Sequence, residues 1–321
     1  MAEIGTDIRK AKALLENGEL VGIPTETVYG LSGNALNVAS VAKIFQVKDR
    51  PFFDPLIIHV ADISAMGVYV ENIPPLATKL AQAFWPGPLT LVLPRKKNIP
   101  DLVTSGIDTV GIRCPAHSLT QQLLKELSFP LAAPSANPFG YISPTKASHV
   151  NDQLGEKIQY ILDGGECKVG IESTIVGFEN NQPKIYRMGG LSLEDIESVA
   201  GKTRIQLHST SNPKAPGQLQ SHYSPKKKLV FGDLKKLVKT YGPNDVGVLA
   251  FNKWRNEIEP GHQRILSPTG NVIIAAQNLF SYLRELDQLN VAIIVAEEVP
   301  DVGLGRAIND RLRRASAEID R

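Results

Sequence analysis

The stretch 22–60 constrains the chain more than any other. Residues 20–23 are apolar and read as a short buried strand, which Pro24 stops. Four side chains bearing hydroxyl or carboxyl groups, Thr25, Glu26, Thr27 and Tyr29, then crowd the place where that strand ends. Residues 37–45 have helical spacing, with Val38, Val41, Ala42 and Phe45 on one face. That helix delivers Lys48 and Arg50, two residues apart and stiffened by Pro51, and a second strand over 56–60 carries His59. Taken singly, such threonines are turn formers and such a Lys-x-Arg is a solvated helix end. Together they place polar groups that add nothing to burial on a backbone rigidified by Pro24, Gly30 and Pro51. That combination describes a pocket for a small, anionic ligand.

The same alternation continues downstream. Helices are expected over 7–17 (capped by Thr6 and ended by Gly18), 75–84, 119–127, 146–154 and 193–199. Strands are expected over 89–93, 109–112, 131–133, 160–163, 173–177 and 184–187. Short strands and helices in alternation, with polar residues collected at strand ends, predict an α/β unit over 1–200. Ligands in such folds bind beside strand ends. Residues 201–228 lose all periodicity and read as a linker. Within it, Ala215-Pro-Gly217 followed by His222-Tyr-Ser-Pro225 is more than a spacer needs. A second, smaller α/β unit follows over 229–321, with strands at 246–251 and 291–296 and a long helix at 271–288. Its Gly303-Leu-Gly305 lacks a third glycine and is no dinucleotide site. Arg311, Arg313 and Arg314 are expected to form a solvated helix face.

Composition narrows the function classes. With 42% hydrophobic and 21% charged residues, the 321-residue chain can bury a substantial core. A net charge of +2 neither demands nor excludes nucleic acid, so any basic groove must be local. Cys114 and Cys167 are too few for a disulfide framework or a cysteine-built zinc site. They fit a reduced compartment. No basic-then-apolar leader opens the sequence and no apolar run approaches a membrane span, so a cytoplasmic location is expected. The polar residues at strand ends (Thr25, Thr27, Tyr29, Lys48, Arg50, His59, Arg113, Ser135, Asn137, Ser143, Ser173 and Arg187) are rich in cations and hydroxyls and poor in carboxylates. Such a set suits phosphate plus a carboxylate. Neither a Gly-x-Ser-x-Gly elbow nor a Walker A loop occurs.

Four motifs carry a resemblance. Pro24-Thr-Glu-Thr-Val-Tyr-Gly-Leu31, Lys48-Asp-Arg-Pro51, Pro134-Ser-Ala-Asn137 and Glu172-Ser-Thr174 resemble the signature of L-threonylcarbamoyladenylate synthases in their two-domain form. The 215–225 segment is similar to that family's linker motif, and 303–315 to its terminal helix. The resemblance implies a twisted mixed-sheet YrdC-like domain followed by a smaller Rossmann-like one. It implies synthesis of threonylcarbamoyl-AMP and pyrophosphate from L-threonine, bicarbonate and ATP, for modification of adenosine 37 in tRNAs reading ANN codons. Threonine would contact Thr27, His59, Arg113, the Ala133 backbone and Ser173. ATP would contact Arg50, Asp54, Thr109, Ser135, Asn137, Ser143, Arg187 and Tyr223, with Lys48 and Arg50 in the catalytic role. Mg²⁺ would arrive with ATP rather than on protein ligands, and a tRNA threonylcarbamoyl-transferase complex would take the unstable product. The family pattern has Asn where this chain has Asp54. The alternative from another class is an RNA-binding protein that uses the same basic face without catalysis; no RNP-type aromatic motif supports it. Enzymes that handle other carbamoyl adenylates carry zinc-finger and acylphosphatase regions that this sequence lacks.

Overall fold

Two β-sheets organise the chain in a computed structural model that describes residues 1–207 and 222–317. The first unit runs β1 (Glu3–Gly5), α1 (Ile8–Glu16), β2 (Val21–Ile23), β3 (Gly30–Asn34), α2 (Val38–Lys48), β4 (Ile57–His59), α3 (Met66–Tyr69) and α4 (Pro75–Phe84). It continues with β5 (Leu89–Pro94), α5 (Asp101–Thr104), β6 (Thr109–Arg113), α6 (Ser118–Glu126), β7 (Leu131–Ala132), α7 (Ala147–Leu154) and β8 (Tyr160–Leu162). β9 (Thr174–Glu179), β10 (Gln182–Arg187), α8 (Leu193–Ala200) and β11 (Arg204–Ile205) complete it. The second unit contains β12 (Lys228–Gly232), α9 (Leu234–Tyr241), β13 (Val246–Ala250), β14 (Gln263–Ile265), α10 (Val272–Gln288), β15 (Ile293–Glu297) and α11 (Gly305–Ser316).

The large sheet has the order β1-β8-β2-β3-β7-β4-β6-β5-β9-β10-β11, and the small one β12-β15-β13-β14. Parallel and antiparallel pairs mix in the first; every pair in the second is parallel. The architecture is thus the expected α/β class. Strand alternation decides what the large sheet offers. Leu89, Leu91 and Leu93 are fully buried in the main core, whereas Thr90 and Val92 point to the other face. Ile57 and His59, Gly111 and Arg113, and Ile175 share that second face by the same alternation and register.

Local details differ from the sequence expectation for identifiable reasons. Asp7, not Thr6, caps α1, its carboxylate accepting from the amides of Arg9 (2.8 Å) and Lys10 (3.2 Å). The α2 helix runs on to Lys48 because Asp49 adopts the left-handed conformation (φ 52°) that ends it. No strand was expected over 30–34, a glycine-rich run without β-branched residues. Its glycines serve packing instead: a Cβ on Gly33 would lie 2.6 Å from Ser40 Oγ and 2.8 Å from Leu20 Cδ2.

The solvated helix face expected at 311–314 does not form. Arg313 is exposed, but Arg311 and Arg314 are buried, because α11 packs inward. The α10 helix also lies on the first unit. Tyr141 Oη donates to Asp287 (2.7 Å), the Thr145 and Ser281 hydroxyls are hydrogen-bonded at 2.9 Å, and Arg284 Nε donates to the Ser143 carbonyl (3.3 Å). Residues 215–217 lie outside the described residues. Among the described residues no helix is long and apolar enough to cross a membrane.

The close approach of α10 to the first unit depends on Gly170 (φ +78°), where a Cβ would lie 2.4 Å from Gln277 Cα. Gly170→Ala combines left-handed strain with a backbone clash, and should lower unfolding free energy by roughly 3 kcal/mol. Denaturant titration of the variant measures this; an unchanged midpoint would contradict the packing.

Candidate active site

Strand ends converge on one cavity of about 60 Å³. Side by side, β4 and β6 end in His59 and Arg113, which are register partners. Ala133 follows β7, Ser173 precedes β9 and Arg187 ends β10. Arg50, past the end of α2, together with Ser135, Glu172, His222 and Tyr223 completes the polar wall, while Val28, Ile57 and Pro134 supply apolar surface. The structure therefore brings eight predicted site residues together: Arg50, His59, Arg113, Ala133, Ser135, Ser173, Arg187 and Tyr223.

Each arginine is held by its own partners. Arg113 Nη2 donates to Glu26 Oε1 at 2.6 Å, and Glu26 Oε2 accepts from the Ala116 amide at 2.9 Å. Arg50 lies 2.8 Å from Asp54 Oδ2 and donates to the carbonyls of Asp54 (3.0 Å) and Pro55 (2.9 Å). Neither Asp54 oxygen is aligned for a hydrogen bond, so the contact is ionic rather than directional. Burial raises the Asp54 pKa and Arg50 opposes that shift. Arg187 Nε and Nη2 donate to the Ser173 carbonyl and hydroxyl, both at 3.1 Å, and that hydroxyl is 2.8 Å from Thr90 Oγ1. Burial lowers the pKa of Arg50 and Arg187, with an acidic neighbour acting against it in each case.

Six predicted residues lie outside the cavity wall. The Lys48 ammonium donates to the carbonyls of Ser135 (2.5 Å) and Asn137, so it braces the 134–137 loop. Burial drives its pKa well down, with Arg50 adding to the shift. Asn137 Nδ2 clamps the same loop through the carbonyls of Pro138 (2.8 Å) and Tyr141 (2.9 Å). Asp54 stands behind Arg50. Thr27 Oγ1 is 2.8 Å from Thr25 Oγ1 inside the turn, and Ser143 Oγ donates to Glu172 Oε1 at 2.5 Å. Thr109 shares the face of Arg113 four residues away, in a separate depression of about 480 Å³ with Val92, Phe178 and Tyr186.

Comparison with known proteins decides the family. A family model described as "Telomere recombination" matches residues 13–189, and one described as "Threonylcarbamoyl-AMP synthase, C-terminal domain" matches 191–317. A threonylcarbamoyl-AMP synthase of Pyrococcus abyssi is 40% identical, covering 96% of this chain and 94% of its own. The chain belongs to the two-domain threonylcarbamoyl-AMP synthase family. A Bacillus subtilis synthase is 38% identical over 96% of this chain and 92% of its own. The crystal structure of P. abyssi Sua5 complexed with L-threonine superposes with a TM-score of 0.91 at 38% identity, covering 98% of this chain and 97% of that one.

Within this family frame, sequence reasoning left four wall or support residues unassigned: Glu26, Glu172, Arg311 and His222. Glu26 and Glu172 sit inside the quoted motifs, and their acidity beside predicted arginines was the available signal. Arg311 gave no signal, since its cavity-side partner Glu172 lies 139 positions away and its neighbour Asp310 makes an ordinary helix-surface pair in the sequence. His59 is buried and its Nδ1 has no hydrogen-bond partner. Burial, then Arg113, lowers its pKa from 6.5 to about 3, so the imidazole is neutral near pH 7.

The sign of the resulting pH dependence is fixed. Below 6.5 the unfolded chain takes up a proton at His59 that the fold refuses, so this contribution is complete above 6.5 and is lost as pH falls toward about 3. Unfolding free energy should therefore drop by up to about 1.4 kcal/mol per pH unit from this ring. Denaturant titrations at several pH values should show a shallower acid slope in His59→Gln than in the parent. Equal slopes would mean that the folded ring accepts the proton.

Proposed function

We propose that the chain joins L-threonine, bicarbonate and ATP into L-threonylcarbamoyladenylate with release of pyrophosphate, a nucleotidyl transfer. The product would supply the group placed on adenosine 37 of tRNAs reading ANN codons, through a downstream transferase complex. The observation that carries this reading is a cavity walled by Arg50, Arg113 and Arg187 in a fold whose P. abyssi counterpart was solved with L-threonine. RNA binding alone is not favoured, because these cations are buried in the wall of a small recess rather than spread over an exposed surface.

The geometry supports a division of labour. Arg113, oriented by Glu26, grips the threonine carboxylate. The Ala133 amide is spent on the Ile57 carbonyl at 3.1 Å, so the Ala133 carbonyl is the group that meets the threonine amine. His59, neutral with a bare Nδ1, accepts a hydrogen bond from that amine or from the threonine hydroxyl and so orients it. The amine attacks bicarbonate carbon and water leaves, giving the carbamate. A carbamate oxygen then attacks the α-phosphorus and pyrophosphate departs. Arg50 and Arg187 lower the repulsion between carbamate and triphosphate, so catalysis is positioning and charge stabilisation. The Thr109–Tyr186 depression continues the same sheet face and offers room for the nucleoside.

The donor set fits a Mg²⁺ carried by ATP. Glu26, Asp54 and Glu172 are each ion-paired to an arginine, and no group of three metal-binding side chains exists among the described residues. Phosphate oxygens would hold the ion, which would shield the triphosphate charge.

Full substrates cannot enter a cavity of about 60 Å³, since ligand sites of this kind span roughly 300–1,000 Å³. His222 and Tyr223 form part of its wall, and Tyr223 holds a left-handed backbone (φ 66°) that a bulky residue rarely adopts. This segment is the proposed lid. Tyr223→Ala should raise the KM for ATP or lower kcat; unchanged kinetics would remove the lid role.

The deciding assay is pyrophosphate release with each substrate omitted in turn. Release should need threonine, bicarbonate and ATP together, and should vanish in Lys48→Ala/Arg50→Ala. Asp54→Asn should keep or lower the KM for ATP, since it removes an anion behind Arg50. Release without threonine would overturn the reading.

A further inference from the structure

The second unit reaches the cavity wall itself. Glu172 lines the cavity, with Oε1 accepting from Ser143 Oγ at 2.5 Å. Its Oε2 lies 3.1 Å from Arg311 Nε and 3.0 Å from Nη2. Arg311 projects from α11 and is fully buried. Its guanidinium lies over the Tyr223 ring at 5.1 Å, and that ring also stacks on Phe280 of α10 at 5.7 Å.

The charges make this contact consequential. Asp54 neutralises Arg50 and Glu26 neutralises Arg113, both from within the first unit. Arg187 and Glu172 then remain on the wall, and alone they would cancel. Arg311 and Arg314, which share the buried Asp310 between them, restore a surplus positive charge from the second unit. A bare Glu172 carboxylate at low dielectric would repel the triphosphate instead.

We propose that Arg311 is a positioning residue for the ATP half of the site, holding Glu172 against Ser143 and backing Tyr223. The inference rests on the reaction proposed above. It assigns the second unit a part in ATP binding, exerted through Glu172 and Tyr223, rather than a purely structural one. The threonine carboxylate is gripped by Arg113, whose anion is Glu26 and not Glu172.

The test is steady-state pyrophosphate release by the full chain, with thermal unfolding as the folding control. Arg311→Met should raise the KM for ATP at least about tenfold while the KM for threonine stays within about twofold. Arg311→Lys should fall between, because lysine keeps the charge but not the planar fork. In Arg311→Met/Glu172→Gln, where the stranded carboxylate is also gone, the KM for ATP should return to within about threefold of the parent. Equal rises in both KM values, a loss of kcat alone, or no recovery in the double variant would overturn the proposal. If Arg311→Met does not fold, Arg311→Lys and the double variant decide by the same criteria. If the parent itself shows no threonine-dependent release, the reaction assignment fails; calorimetric titration of ATP into the same proteins still decides whether Arg311 governs nucleotide affinity.

Discussion

A guanidinium taken out of water must be met by an anion or by several carbonyls, or its burial costs several kcal/mol. Everything around the cavity follows from meeting that requirement for four arginines. Glu26 answers Arg113, Asp54 answers Arg50, Ser173 answers Arg187 and Glu172 answers Arg311. The carboxylates stand mostly behind their arginines, leaving the cationic side turned toward the cavity. A site built this way holds positive charge in a confined space without collapsing onto itself, which a reaction between two anions requires.

The same requirement explains why the two sheets are packed together. The Ser143 and Ile142 carbonyls accept from Arg284, and Glu172 accepts from Arg311, so loops of the first unit are completed by helices of the second. The apolar core is shared as well: Leu279, Phe280 and Ile308 belong to the same cluster as Leu89 and Val176. A rigid site wall and a continuous core are therefore one construction.

Much of the fold was legible in the sequence because local signals and global packing agree. The periodic segments 75–84 and 271–288 became α4 and α10 with boundaries shifted by no more than a residue. What escaped had no local signal. β3 is glycine-rich because Ser40 and Leu20 crowd it, a fact invisible until α2 is in place. Arg311 and Arg314 look solvated in a charged helix and are buried, because their partners Glu172 and Leu207 are far away in sequence. At the site, Lys48 and Arg50 were readable because a Lys-x-Arg stiffened by proline stood beside hydroxyl-rich strand ends, a combination that adds nothing to burial. Lys48 and Asn137 were legible as important but not as loop braces, since backbone carbonyl partners leave no trace in side-chain identity.

Arg314 ties two distant points of the backbone together. Its Nη2 donates to the Leu207 carbonyl at 2.9 Å, while its own carbonyl accepts the His222 amide at 3.3 Å. A single residue of α11 therefore acts as a double clamp, fixing the backbone at Leu207 through its side chain and at His222 through its own carbonyl. Displacing Arg314 would unfasten both points at once, including the one that carries Tyr223 into the cavity wall.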